Sequence, residues 1–371
     1  MSKAAELAKW GEVSTNGQVS GRRNIISNGA MNVAQRSASV TGLGAAAGYF
    51  TCDRWKIATA ASAGRLTMTQ TADGPSGFAN CIKLDCTTAD TSIAAGELLI
   101  LQTNIEGQDL QAIGKGVTGA KEITVSFYVK ANAAFDFVAE VQDQDNSRTN
   151  GRVFSTTTDW VRHELTFQAD VDDGSSPFDD DNAASLSINF WLHAGATYTG
   201  GTLASSWENS TSANRAAGID SFFSSTDNNF FITGVQMEVG SVATPFEHRS
   251  FGEELQLCQR YYEISYSYGT FEGANTSAGL ITTDSMGGDT TTAYLTHQLE
   301  YRVAKRAAPT LVFYDQAEAT GKVSSHITGI SVANGQTIAV EHAGDKSASM
   351  NRASGDAANG FRFHYSATSE L

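Results

Sequence analysis

Charge is scarce in this 371-residue chain: Asp, Glu, Lys and Arg together make up 18% of it, against about 25% in an ordinary globular domain. What charge there is has mostly one sign, with 40 acidic residues against 25 basic ones and a formal net charge of −15. A surface of that sign repels phosphate. It excludes a basic nucleic-acid-binding face and disfavours docking on anionic membranes. Cysteine is rare too: Cys52, Cys81, Cys86 and Cys258 are the 4 present. They contain no CxxC pair and have no histidine at zinc spacing, so a zinc-ribbon or finger is excluded. They read as reduced, buried thiols; a Cys81–Cys86 link across a turn is the alternative the spacing leaves open. No window approaches the roughly 20 apolar residues of a membrane-spanning helix. Lys3, Glu6 and Lys9 interrupt the N-terminus, leaving no apolar core for a secretion signal.

Catalytic signatures are missing as well. There is no GxSxG elbow, no HExxH and no phosphate-binding loop. Gly42-Leu-Gly-Ala-Ala-Ala-Gly48 matches a dinucleotide fingerprint in letters only. It lacks the buried strand before it and the helix after it, so it reads as a flexible loop. The 7 histidines are scattered and read as packed or surface residues. The expectation is a protein that is not an enzyme.

What fills the space is small and polar: Ser, Thr, Asn, Gln and Ala, with 35 glycines, around a 41% hydrophobic fraction. That composition suits strands joined by many turns. Residues 123–129, 135–141, 160–167, 185–192 and 230–239 alternate apolar and polar side chains, as half-buried antiparallel strands do. Turn-rich stretches separate them, and the connection 198–219 is long enough to be functional. The expected fold is mainly β: a jelly-roll β-sandwich over 25–247 and a second, smaller β-sandwich over 264–371. A linking helix over 248–263 opens with the capping box Ser250-Phe-Gly-Glu253. Ahead of these lies a short N-terminal helix and tether, 1–24, with Ala4, Leu7 and Ala8 on one face. One such helix is too short to be stable alone and must dock on something.

Candidate binding residues come from aromatic side chains in or beside polar loops. A sugar presents apolar C–H faces, which an indole or phenol ring can cover while amides and carboxylates bind its hydroxyls. Trp207, in Ser-Ser-Trp-Glu-Asn-Ser, is a ligand or partner contact on this reasoning, together with Tyr198, Trp160 and Asn209. Trp191, at the end of an alternating strand, and Trp55 read as core. The densest carboxylate cluster spans 170–181. Asp172, Asp173, Asp179, Asp180 and Asp181 are hard ligands of the kind calcium takes. Ala169 stands where an EF-hand would need Asp. A solvated acidic loop, a structural calcium site and a carboxylate pair for glycoside hydrolysis stay open there; no other cofactor is expected.

Four blocks of sequence together resemble phage tail-fibre and appendage proteins. They are Met1-Ser-Lys-Ala-Ala-Glu-Leu-Ala8; Arg23 to Arg36, followed by Cys52-Asp-Arg-Trp55; Ile232 to Arg249, running into Phe251 to Tyr262; and Arg306-Ala-Ala-Pro-Thr310 with the polar end Ser369-Glu-Leu371. The third is long and specific, and the loops between the blocks match nothing. The resemblance implies a homotrimer located in the virion and assembled in the host cytoplasm. It also implies an N-terminal anchor to other tail proteins, with Leu7 and Trp10 as contacts, and attachment to host surface polysaccharide. A virion adaptor or decoration protein is the alternative. The central region is similar to jelly-roll carbohydrate-binding modules, whose structural calcium uses an Asn-Gly-Asp/Asn segment and a late Asp. Here those positions are Asn28-Gly29-Ala30 and Gly234, so that site is not carried over. A polysaccharide depolymerase would show long β-helical repeats, and none are visible.

Overall fold

Alternation of apolar and polar side chains becomes strand pairing throughout the computed structural model, which describes residues 3, 22–171, 176–284, 295–327, 331–352 and 360–371. The chain divides between Phe251 and Gly252 into two units. In the first, thirteen strands run in chain order: β1 (Ser39–Leu43), β2 (Gly48–Tyr49), β3 (Lys56–Ala60), β4 (Arg65–Thr71), β5 (Cys81–Thr88), β6 (Leu98–Glu106), β7 (Ile123–Ala131), β8 (Asp136–Asp143), β9 (Arg148–Ser155), β10 (Val161–Phe167), β11 (Ala184–Ala194), β12 (Glu208–Asn209) and β13 (Asn229–Val239). They form a six-stranded sheet, β1-β4-β5-β13-β7-β10, and a seven-stranded sheet, β12-β9-β8-β11-β6-β3-β2. Every pairing is antiparallel.

The two sheets bury one continuous core between them. Leu186, Ile188, Phe190 and Leu192 project inward from β11, and Val125, Phe127 and Val129 meet them from β7. Phe127 packs edge-on against Phe154 and Phe190, with ring centres 5.1 and 4.9 Å apart. Burying a side chain of this size contributes about 1.5–3 kcal/mol. Trp55 belongs to this core, as expected, and its indole N–H donates to the Asn28 carbonyl at 3.1 Å. Trp191 is buried as well, as expected of a core residue. Its strand register sends it to the opposite, outer face, into a separate cluster with Ile100, Val138 and Ala216.

The strands between 39 and 106 were not singled out by pattern. β6 reads Leu98-Leu-Ile-Leu and packs apolar side chains on both faces, so it shows no alternation. The supposed flexible loop at Gly42–Gly48 begins inside β1, which pairs with β4 through an irregular register between Val40 and Leu43. The long connection 198–219 folds back on itself. It begins in a one-turn helix, α1 (Ala196–Thr199). The amides of Gly201, Ala204 and Ala216 then bond the carbonyls of Ala213, Asn214 and Tyr198.

Helix α2 (Phe251–Gln259) crosses the division, with all but its first residue in the second unit. Among the described residues nine strands follow: β14 (Tyr262–Ile264), β15 (Ile281–Asp284), β16 (Leu295–Glu300), β17 (Thr310–Tyr314), β18 (Val323–Ile327), β19 (Ser331–Gln336), β20 (Ala339–Glu341), β21 (Ser347–Arg352) and β22 (Gly360–Thr368). Strand β22 organises the larger sheet. Its first half pairs with β15 and β18 and its second half with β14 and β17. A three-stranded sheet, β16-β21-β20, supplies Leu299, Ala348 and Met350 to the shared core. Pro309 directly precedes β17, where its missing N–H costs no ladder bond. Both β-sandwiches expected from the sequence are therefore present. All four cysteines are free and buried, which excludes the Cys81–Cys86 link.

Candidate functional site

Trp207 owes its position to three neighbouring elements. The β8–β9 hairpin turns at residues 144–147, where Asp143 accepts the backbone N–H and side-chain amide of Asn146 at 3.1 and 3.0 Å. Asp and Asn make such local turns readily. The short edge strand β12 then pairs with β9, Glu208 opposite Thr149 and Asn209 opposite Arg148. That register sets Trp207 at the rim of the sandwich. Its indole N–H donates to the Gln168 carbonyl at 2.8 Å, just beyond β10. The ring is half-buried against the core and half open.

Below the indole lies a small cleft. Ile113, Ile123 and Phe178 make its apolar walls, and Lys115, Lys121, Gln168 and Asp170 line it with polar atoms. The floor is a chain of alternating charges. The Lys115 ammonium lies 2.6 Å from Asp143 and 3.7 Å from Asp170. Arg148 grips Asp170 with both Nε and a terminal nitrogen, at 2.8 and 3.0 Å. All four groups are buried. Buried charges persist only when paired and hydrogen-bonded; here two cations neutralise two carboxylates. Both oxygens of Asp170 are engaged by Arg148, so it is not a free acid or base. Lys121, at the mouth, is exposed. The arrangement offers a flat apolar ring beside fixed donors and acceptors.

Of the residues marked from sequence, the structure brings Trp207 and Asn209 together here. Asn209 is exposed, with its amide oxygen 3.5 Å from Arg148. Tyr198 and Trp160 lie elsewhere. Tyr198 lies tilted against Trp191, with ring centres 5.3 Å apart, on the outer face of the seven-stranded sheet. Trp160 precedes β10 in the other sheet, beside Phe231 at 6.2 Å and the Lys130 ammonium at 5.3 Å. Asp179, Asp180 and Asp181 are exposed, and they serve the turn rather than converge. Asp181 accepts the Ala183 amide, and the Asp179 amide donates to Asp145. Burial, with the charges of Asp179 and Asp143 adding to it, holds the Asp145 carboxyl above its ordinary pKa. Among the described residues these aspartates form no ligand cluster. Asp172 and Asp173, like the anchor residues Leu7 and Trp10, lie outside the described residues.

Sequence reading missed a second polar assembly. On the outer face of the seven-stranded sheet, Gln102, Asn189 and Glu140 stand side by side on β6, β11 and β8. Asn189 accepts from Gln102 at 2.8 Å and donates to Glu140 at 2.8 Å. Arg215, from the long connection, forks onto Glu140 at 2.8 and 2.7 Å and covers the Trp191 ring at 4.9 Å. The available signal was the polar half of the β8 alternation, Glu140 and Gln142, opposite Phe137, Ala139 and Val141. Trp191, Asn189 and Glu140 are at most 1% exposed, so this face is closed by the connection across it.

No family model matches the chain, and no curated protein matches it. Solved structures do. One is the enzymatically active domain of tailspike protein 4 from bacteriophage CBA120, 13% identical over 58% of this chain at a TM-score of 0.30. The chain spans about a fifth (21%) of that protein's length. Another is a family 11 carbohydrate-binding module from Clostridium thermocellum in complex with a β-1,3-1,4-mixed-linked tetrasaccharide, 10% identical, covering 52% of this chain and 91% of that one at a TM-score of 0.27. A tandem of two family 22 modules from Paenibacillus barcinonensis covers 95% of this chain and 92% of its own, at 10% identity and a TM-score of 0.28.

Proposed function

We propose that this protein is a non-enzymatic attachment module that binds glycan at the Trp207 cleft, as part of a phage tail fibre or appendage. The observation that carries the reading is the half-open indole above a cleft with apolar walls and a charge-neutral polar floor. An aromatic ring pinned by its own N–H presents a rigid face to sugar C–H groups at little entropic cost. The net charge of −15 suits neutral or cationic glycans over phosphate-rich ones. The virion setting, the anchor at Leu7 and Trp10 and the trimer rest on the resemblance of the four sequence blocks. In a trimer, three weak sites would act together through effective concentration.

The test is binding of the full-length protein to host cells and to their purified surface polysaccharide, with light scattering for mass. Saturable binding that falls at least tenfold in a folded Trp207→Ala variant supports the reading. Equal binding by Trp207→Ala would remove the cleft from it. A well-folded oligomer that binds neither cells nor polysaccharide would favour the adaptor or decoration role.

A further inference from the structure

We propose that Asp90, Glu97 and His193 form a binding site for a divalent transition-metal ion, with Zn²⁺ the ion their chemistry fits. The site is independent of the Trp207 cleft. Asp90 and Glu97 bracket the loop between β5 and β6, and His193 lies next to the end of β11. All three are buried, exposed by 5, 4 and 0%. One ligand atom from each comes within 4.8 Å of the others.

The backbone holds this geometry. The Asp90 amide donates to the Phe223 carbonyl at 2.8 Å, and the Gly195 amide donates to the Glu97 carbonyl at 2.9 Å. A side chain at Gly195 could not be accommodated, since its Cβ would fall 2.0 Å from the Ala94 oxygen. The loop and the strand end are thus locked together around the cluster. Asp90 is oriented by the Ala63 amide at 2.9 Å.

Charge is the first argument. Two carboxylates are buried here, and among the described residues His193 is the only base within ion-pair distance of either. One imidazole cannot neutralise both, even when protonated. Buried charges of this kind are paired or coordinate metals.

Ligand geometry is the second. The His193 Nε2 to Glu97 oxygen separation is 3.2 Å. A tetrahedral ion with bonds of about 2.0 Å requires donors about 3.3 Å apart. The imidazole is turned for the task from outside the cluster. Its Nδ1 is 2.8 Å from the Ser221 hydroxyl, which leaves Nε2 directed at the carboxylates. A hydrogen bond to the far ring nitrogen is how metal-ligating histidines are commonly fixed. One nitrogen and two carboxylate oxygens suit Zn²⁺ better than Ca²⁺, which takes six to eight oxygens. The bound ion would tie the β5–β6 loop to the end of β11.

The test uses tag-free full-length protein, stripped with EDTA and titrated calorimetrically with ZnCl₂ and, separately, CaCl₂ at neutral pH. The expected result is one Zn²⁺ per chain, a rise in thermal midpoint on adding Zn²⁺, and no comparable response to Ca²⁺. Glu97→Gln keeps the shape of the site and removes one ligand charge; it should weaken Zn²⁺ binding at least tenfold. Tryptophan fluorescence confirms that the variant is folded. His193→Gln should do the same where it folds. Failure of the folded wild type to bind Zn²⁺, a preference for Ca²⁺, or unchanged binding in folded Glu97→Gln would each overturn the proposal.

Discussion

Replacing Lys115 by Met tests the charge chain under the candidate cleft. Methionine fills the space of the lysine stem and deletes only the ammonium. The direct attraction to Asp143 across 2.6 Å is about 6 kcal/mol at an effective dielectric constant of about 20. Removing Lys115 also removes the cost of burying it, which offsets part of that loss. What stays behind is a buried Asp143 carboxylate that keeps, among the described residues, the Asn146 donors alone. Breaking a buried pair in this way costs about 3–5 kcal/mol. For a unit of about 250 residues that corresponds to a midpoint lower by about 6–20 °C. All five tryptophans precede residue 208, and the four described ones lie in the first unit, so tryptophan fluorescence follows that unit's unfolding without interference from the second. Urea and thermal melts of wild type, Lys115→Met and the Lys115→Met/Asp143→Asn pair complete the experiment. The double variant should recover part of the loss, because no unpaired charge then remains. A single variant within about 1 kcal/mol of wild type, the value of an exposed pair, would show that the floor is solvated and the burial argument mistaken.

Acidification should destabilise the second unit. His364 stacks on Tyr266 at 3.8 Å, its Nδ1 bonded to the Ser265 hydroxyl and its Nε2 donating to the Thr276 carbonyl. Burial lowers its pKa from the usual 6.5. The unfolded ring therefore takes up a proton before the folded one does. Stability is full above about pH 6.5 and falls as pH drops toward the folded value, by at most about 1.4 kcal/mol per pH unit. Tyrosine near-ultraviolet dichroism should show the midpoint falling between about pH 7.5 and 5.5, less steeply in His364→Gln; a flat or rising midpoint contradicts this. The thiols should be inert in the native state, since burial pushes Cys52 well above its ordinary pKa and Cys81 up to about 11. Ellman's reagent should titrate all four only after denaturation, and fast native labelling of Cys52 or Cys81 would argue against it. Gly29→Ala places a Cβ 2.0 Å from the Val235 oxygen. The tie between the first described segment and β13 should then break, at a cost of about 1–3 kcal/mol. A urea midpoint equal to wild type would mean the backbone there shifts freely.

Much of the architecture was legible in the residues alone. The alternation in 123–129, 185–192 and 230–239 named β7, β11 and β13, because successive side chains point to opposite faces and only one face of each strand carries the apolar residues of the sandwich core; the polar residues of the other face, such as Asn189 and Gln236, are buried as well. Trp55 and the free cysteines followed from the same reasoning, as did the helix beginning at Phe251. Strand β6 was not legible, since Leu98 to Leu101 put apolar side chains on both faces and leave no alternation to read. Among the aromatic residues, local context found Trp207 but could not separate it from Tyr198 and Trp160. All three stand in similar polar surroundings in sequence, yet they lie on different parts of the sandwich. Which face a residue occupies is a local property of its strand. Which residues it meets there depends on strand order and register, and those are set by packing across the whole unit. Lys115, Asp143, Asp170 and Trp207 therefore converge only in the fold, as do Asp90, Glu97 and His193, the last two 96 positions apart.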